Sequence, residues 1–334
     1  MNPDSWKNFI FDEIPVCLSP MAGVTDAPFR ELVSSFGASA VVTEVISGEA
    51  LVRNREKTFR RLINGANDFP KIVQMMGANP ENMAQAAVMA ETLGADILDI
   101  NMGCPARKIT SNESGAALMK NEDLALKIVE SIVKSIKIPV TVKMRLGWDN
   151  EHMNCLQLAK KLENVGVRML TIHCRTRNQM YGGQADWSAI FKLMDMVKIP
   201  YLCNGDIRSG GDAFSALEQS GGMGVTVGRG ALGRPWLLKQ IMEFLHHGRI
   251  VPPPPLEDQY RIILRHFQNT MDFYGQRHGL RIFRKHFCWY SAGLSGSSAF
   301  REAITKSEDV ISIKSHLEDF YAKHFRDILG PRKK

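Results

Sequence analysis

The chain has 334 residues and a formal net charge of +7, from 42 Lys/Arg against 35 Asp/Glu. That length gives one large domain or two of ordinary size, with a core that needs no disulfide or metal staple. The six cysteines (Cys17, Cys104, Cys155, Cys174, Cys203 and Cys288) contain no C-x-x-C pair, which argues against a zinc site or dithiol and for free thiols in a reducing cytoplasm. Met1–Glu13 lacks the charged stretch and apolar core of a signal peptide, and no apolar run is long enough to span a bilayer, so a cytoplasmic location is expected.

The first two-thirds repeat one unit, a short β-branched run ending in polar residues or glycine, then a helical pattern. Strands are expected at Val16–Ser19, Ala40–Val45, Ile72–Met75, Ile97–Ile100, Val140–Met144, Met169–His173, Tyr201–Cys203 and Gly224–Val227. They are apolar throughout rather than alternating, as strands buried on both faces of a parallel sheet are. Helices are expected near Ala27–Phe36, Asp123–Ile136, Glu151–Val165, Trp187–Val197 and Gly211–Gln219. Another starts at Pro80 with Asn79 as its N-cap and closes at Gly94. Ile138-Pro139-Val140 and Ile199-Pro200-Tyr201 each stop a helix and start a strand. Eight βα units predict a (β/α)8 TIM barrel of α/β class over residues 1–245. The first strand leads into Pro20-Met21-Ala22-Gly23-Val24-Thr25-Asp26, not G-x-G-x-x-G, which argues against a doubly wound sheet.

Near His246 the pattern changes. Pro252-Pro253-Pro254-Pro255 forms a stiff spacer, followed by helical patterns over Leu256–Tyr274, Gly279–Tyr290, Ser298–Ile304 and Val310–Ile328. Residues 246–334 are therefore expected to form an all-helical C-terminal domain. From Arg249 onward there are 15 Lys/Arg against 9 Asp/Glu, so most of the net charge lies here. This points to an anionic partner, nucleic acid first. A solvated helical surface with the basic tail Arg332-Lys333-Lys334 accounts for the same charge equally well.

In a barrel of this kind the chemistry sits at the C-terminal ends of the strands. There the sequence places Pro20 and Met21, Gln74, Asn101 and Cys104, Lys143 and Arg145, His173 and Arg175, Asn204-Gly205-Asp206, and Gly228-Arg229-Gly230. Such a polar set suits a cofactor with several polar edges. The last two groups follow strands seven and eight, where barrels commonly bind phosphate, and Arg229 adds a charged fork. Lys143 either pairs with Asp99 or Glu44 or faces an electron-rich cofactor edge. His173 is either a core histidine or a cofactor donor. No second and third ligand stand at metal-like spacing, so no metal is expected. Cys104 lies in a loop between Gly103 and Pro105, as a nucleophile or an acid. Cys17, Cys174, Cys203 and Cys288 read as small buried hydrophobes.

The chain resembles the tRNA-dihydrouridine synthases, and among them the bacterial B-type branch. The matching stretches are Pro20–Asp26, Asp99-Ile100-Asn101-Met102-Gly103-Cys104-Pro105, Val142-Lys143-Met144-Arg145, Thr171-Ile172-His173, Asn204-Gly205-Asp206, Gly228-Arg229 with Gly233-Arg234-Pro235-Trp236, and, in the tail, Tyr274-Gly275, Arg281-Ile282 and Arg284-Lys285-His286. Ser19 stands where the family commonly has alanine. The resemblance implies bound FMN and transient NADPH, with specific uridines of tRNA reduced to 5,6-dihydrouridine. It implies that Pro20, Met21 and Ala22 line the flavin, with Gln74 and Lys143 on its polar edge. His173, Asn204, Gly205, Asp206, Gly228 and Arg229 then hold the phosphate end. Hydride goes to C6 of the uracil, Cys104 gives a proton to C5, and Asn101 lies beside the flipped base. Contacts to tRNA are expected from Arg145, Arg175 and Arg177, and from Arg281, Arg284 and Lys285, which fall on one helix face. Nothing demands a protein partner, so a monomer is expected. The competing readings are an FMN-dependent dihydropyrimidine or dihydroorotate dehydrogenase and a non-catalytic tRNA-binding protein.

Overall fold

The computed structural model describes residues 13–53 and 70–329. The basic tail Arg332-Lys333-Lys334 lies outside the described residues. The strands are β1 (Val16–Leu18), β2 (Ala40–Val42), β3 (Ile46–Ser47), β4 (Lys71–Met76), β5 (Ile97–Met102), β6 (Val140–Arg145), β7 (Met169–His173), β8 (Tyr201–Asn204) and β9 (Gly224–Val227). Every pairing is parallel, and the sheet closes. β1 pairs with β9 on one side and β2 on the other, and β2 pairs with β4. Eight strands thus form the barrel, with β3 as a short extension on β4. The expected strand Ala40–Val45 is split, ending at Val42 and resuming at Ile46. β5 and β8 run further than expected, so Asn101 and Asn204 lie within their strands.

Cys17, Ala40, Ile72, Ile97, Met169 and Leu202 meet in one buried cluster, one residue from each of six strands. Such a layer fills the barrel and anchors the strands, at about 1.5–3 kcal/mol per large apolar side chain. The rim above it is thereby held in fixed register.

The two Lys-Ile-Pro phrases use one device twice. Glu91, near the end of the helix Pro80–Thr92, accepts from the backbone N–H of Lys137 (2.8 Å) and Ile138 (3.1 Å). Glu163, near the end of the helix Cys155–Asn164, accepts in the same way from Lys198 and Ile199. Each carboxylate satisfies the donors left by a helix that stops before a proline. The prolines keep their carbonyls in play, since Pro139 O accepts from Leu98 N and Pro200 O from Leu170 N, both at 3.0 Å. Asn79 caps the helix that Pro80 opens, accepting from Asn82 N at 2.8 Å.

The chain divides into two compact units. The barrel unit reaches Gly230 and takes in Leu238–Ile250, while Ala231–Leu237 and the chain from Val251 on form the helical unit. The helix Leu237–His247, absent from the sequence reading, spans one of these crossings. The helical unit contains Leu256–Tyr274, Gln276–Tyr290, Ser297–Lys306 and Val310–Leu329. Its core is aromatic, with Phe267, Phe283 and Phe287 packed edge to face or tilted and Phe300 stacked on Phe320 at 4.4 Å. Among the described residues no helix is long and apolar enough to cross a membrane.

Candidate active site

Cys104 follows β5 by two residues, at the C-terminal rim. Asp99 and Asn101 share one face of β5, because side chains alternate along a strand. The Asn101 side chain turns the chain just beyond it: Oδ1 accepts from Gly103 N at 3.1 Å and from Cys104 N at 2.8 Å. Arg145 Nε donates to Gly103 O at 2.7 Å, and Cys104 O accepts from Ala116 N at 3.0 Å. Gly115 backs the turn with φ +61°, and a Cβ there would lie 2.8 Å from Cys104 O. The Cys104 side chain is half-buried, unlike Cys17, Cys174 and Cys203, which are buried as expected, and Cys155, which is buried too. Burial pushes the Cys17 and Cys155 thiols up to about 12. Cys288, expected to be buried, is half-buried.

The neighbouring strand β6 is cationic at this rim, Lys143 being the register partner of Asn101. Lys143 Nζ donates to Asn204 Oδ1 at 3.3 Å. Burial, then the nearby Arg145 charge, pulls its ammonium down to about 8, while Asp99 opposes them. Asp99 acts on Lys143 through space, and Glu44 accepts instead from Gly23 N. His173 ends β7 and is 9% exposed. Burial first, and then Lys143, Arg145, Arg175 and Arg229, hold its pKa well below the usual histidine range, so the ring is neutral. Met21 and Gly228 come together across the β1–β9 seam, a Cβ on Gly228 lying 3.9 Å from Met21 Sδ. Ala22 is exposed beside Met21. A narrow cavity below the rim is lined by Ser19, Pro20, Asp99, Lys143, Thr171 and Thr226.

Asp206 differs from its expected role as a direct cofactor contact. It adopts φ +56° and accepts from Arg175 Nη2, from Arg229 Nη2 at 3.5 Å and from Ala185 N at 2.9 Å. A carboxylate so placed organises the arginines around it. Arg145 and Arg175, expected at the tRNA surface, are each 1% exposed. Arg145 Nη1 donates to Thr176 O and Met180 O, both at 2.9 Å, and Arg175 donates to Gly182 O and Gly183 O. Their forks satisfy loop carbonyls, so they brace the rim rather than reach a polymer in solvent. Arg177 remains partly exposed over the Trp148 ring at 4.5 Å. In the helical unit Arg281 is exposed, Lys285 is half-buried, and Arg284 Nη2 turns to Ser307 O at 2.8 Å. The three do not form a single free comb.

Two aromatic residues escaped the sequence reading. Tyr181 is 52% exposed, with Arg229 Cζ 5.0 Å and Arg145 Cζ 5.6 Å from its ring and the His173 ring at 6.3 Å. Trp148 has Lys120 Nζ at 4.8 Å in addition to Arg177. An aromatic residue in a glycine-rich loop after a barrel strand was the available signal for Tyr181.

The donor set fits a flavin. Lys143 suits the electron-rich ring edge and Arg229 the phosphate. Gly205, at φ +121°, and Gly228 keep the loops low, and the buried Thr226 Oγ1 lines the cavity without a hydrogen-bond partner. Among the described residues no group of His, Cys, Asp and Glu could hold a metal ion.

A family model described as dihydrouridine synthase matches residues 17–325. The chain is 46% identical over 307 residues to a protein of Rickettsia bellii (strain RML369-C) named "Probable tRNA-dihydrouridine synthase", covering 92% of this chain and 94% of that one. It is 39% identical over 306 residues to "tRNA-dihydrouridine synthase B" of Pseudomonas aeruginosa, covering 92% of each. Among solved structures, histamine dehydrogenase from Rhizobium sp. 4-9 superposes with a TM-score of 0.55 at 13% identity, over 92% of this chain and 62% of that one. A 2-naphthoyl-CoA reductase gives 0.51 at 15% identity, over 68% of this chain and 50% of that one. At such identities these structures speak for the fold alone.

Proposed function

Because the chain belongs to the dihydrouridine synthase family, we propose that it reduces specific uridines of tRNA to 5,6-dihydrouridine, with bound FMN and NADPH as the electron source. Pro20, Met21 and Ala22 would hold the FMN ring, with Gln74 and Lys143 toward its polar edge. His173, Asn204, Gly205, Gly228 and Arg229 would hold its phosphate end, with Arg229 oriented by Asp206. When bound, this cofactor supplies the hydride that reaches C6 of the uracil. The base must leave the tRNA stack to come within reach. Cys104 Sγ holds the proton that goes to C5. Lys143 and Arg145 are both within Coulombic reach of Cys104, on the side from which the proton departs. No nucleotide-binding fingerprint stands in the sequence, so NADPH visits only transiently. Arg177, Arg281 and Lys285 contact tRNA phosphates, and the protein works as a monomer in the cytoplasm.

The observation that carries this reading is the half-buried Cys104 on a turn braced from three sides, at the same rim as a neutral imidazole and the Lys143 ammonium of the neighbouring strand. Mass mapping of dihydrouridine in tRNA from cells with and without the protein tests it. One or more positions are lost without the protein and return with the wild type but not with Cys104→Ala, which still binds flavin and tRNA. Normal dihydrouridine with Cys104→Ala overturns the mechanism. Unchanged tRNA in the deletion, where no second synthase overlaps, overturns the substrate.

A further inference from the structure

Gln74 and Asp99 are register partners on β4 and β5, and Asp99 and Thr141 are partners on β5 and β6. A line of hydrogen bonds crosses these three strands and then climbs to the catalytic turn. Thr141 Oγ1 donates to Asp99 Oδ1 and Gln74 Nε2 to Asp99 Oδ2, each at 2.6 Å. Asn101 Nδ2 donates to Gln74 Oε1 at 2.8 Å. Asn101 Oδ1 then receives the N–H groups of Gly103 and Cys104.

We propose that Asp99 is a positioning residue for the proton donor: its carboxylate fixes the sense of the Gln74 and Asn101 amides and thereby the placement of the Cys104 turn. An ionised carboxylate only accepts. Gln74 must therefore present its NH2 to Asp99 and its oxygen to Asn101. Asn101 must in turn present its NH2 to Gln74, which leaves its oxygen for the turn. Reversing either amide sets like against like. Gln74, Asp99 and Asn101 are 1%, 5% and 9% exposed, so water gives little relief. The relay is a property of the protein; its effect on turnover rests on the synthase reading above.

The decisive experiment moves the carboxylate to the other end of the line. In Asn101→Asp two carboxylates face Gln74, which can donate to only one of them. In the Asn101→Asp/Asp99→Asn double variant the polarity runs backwards with every bond satisfied. The new carboxylate at position 101 accepts from the two turn N–H groups and from Gln74 Nε2. Gln74 Oε1 accepts from the new amide at position 99, whose oxygen still accepts from Thr141. The readouts are hydrogen exchange at the Gly103 and Cys104 amides, measured without tRNA, and the rate at which tRNA reoxidises the NADPH-reduced holoenzyme. Asn101→Asp should lose about 30-fold or more, the double variant should regain about 10-fold over Asn101→Asp, and Asp99→Asn, whose single amide oxygen no longer serves both Thr141 and Gln74, should fall between wild type and Asn101→Asp. The Asn101→Asp rate should also climb, relative to wild type, as pH falls, because one proton supplies the missing donor. Burial of Asp99 favours that proton, while Thr141, Gln74 and the Lys143 charge oppose it, as does Arg145 beside the turn. If Asn101→Asp does not fold, recovery of folding by the second substitution reads the same coupling. A double variant no better than Asn101→Asp, or amide exchange alike in all four proteins, overturns the proposal. Restored amide protection in a protein whose wild type leaves tRNA untouched upholds the relay and overturns the synthase reading.

Discussion

Lys143 carries its charge where the fold leaves it little water. Unfolded, a lysine keeps its proton to about 10.4; folded, Lys143 keeps it only to about 8. Between those values the unfolded chain binds more protons, so stability rises with pH across that window. Below pH 8 the buried ammonium weighs fully against the fold. Lys143→Met should therefore stabilise the cofactor-free protein at pH 7 by about 1–2 kcal/mol, since a poorly solvated charge, held only by one long hydrogen bond to Asn204 and the through-space attraction of Asp99, gives way to an apolar side chain of similar length. The same variant should lose at least about tenfold in FMN affinity, followed by flavin fluorescence. In the wild type FMN affinity should fall as pH rises through about 8, and in Lys143→Met that step should vanish. A melting temperature below wild type at pH 7 counts against this account.

The strand-end chemistry at this scale was legible in part. Cys104 stood out because glycine and proline bracket a thiol just beyond an apolar run. Lys143 stood out as a charge inside one. The inward turn of Arg145 was hidden, although Thr141, Lys143 and Arg145 alternate along β6 and so share its interior face. Their outward neighbours Val142 and Met144 are buried too, which made the strand read as apolar on both sides. The Asn101–Gln74 bond spans 27 residues, a distance no local pattern reveals.

At the scale of elements, the rim is held by arginines that join loops rather than by the loops themselves. Arg145 leaves the end of β6 and ties the turn after β5 to the segment Thr176–Met180 after β7. A positive φ at Met180 (+52°), just before Gly182-Gly183, marks that second segment as one with no regular structure of its own. Removing the fork leaves buried carbonyls unsatisfied, at about 1–3 kcal/mol each. Arg145→Met should therefore lower the melting temperature by several degrees and slow tRNA reduction. It should leave the salt dependence of tRNA binding unchanged, because a buried arginine releases no counterions. Arg177→Ala should do the opposite, with stability near wild type and a log K against log salt slope reduced by about 1. A binding titration from low to moderate salt separates the two. A reduced slope for Arg145→Met would restore its expected place among the tRNA contacts.

Across the whole molecule, the barrel could be read from repetition, since each βα unit announces itself locally. The helical unit was legible only as helices, because its packing depends on side chains far apart in sequence. Its core contains two histidines that no sequence pattern marks as buried. His266 Nδ1 lies 3.0 Å from Tyr290 Oη, and its ring is 4.6 Å from that of His286. Burial pushes His266 down to about 3, and burial and the His266 charge hold His286 well below the usual range, with Lys285 adding to both. Both pKa values are lower in the fold than in the unfolded chain, where histidine titrates near 6.5. Stability is therefore complete above about pH 6.5 and is lost as pH falls toward the folded values. Each imidazole contributes a slope of up to ~1.36 kcal/mol per pH unit in that range. The described barrel core holds no comparable pair of histidines, and its His173 sits at the rim rather than in the packed layers. Acid should consequently open the helical unit first. Hydrogen exchange followed by mass spectrometry between pH 7 and 4.5 should show protection lost in Leu256–Tyr290 before Ile97–Arg145. His286→Phe, which packs against Phe283 and Trp289 without a titratable group, should shift that loss to lower pH. Simultaneous loss in both segments would mean that the two units unfold as one and that the histidine pair does not set the acid limit.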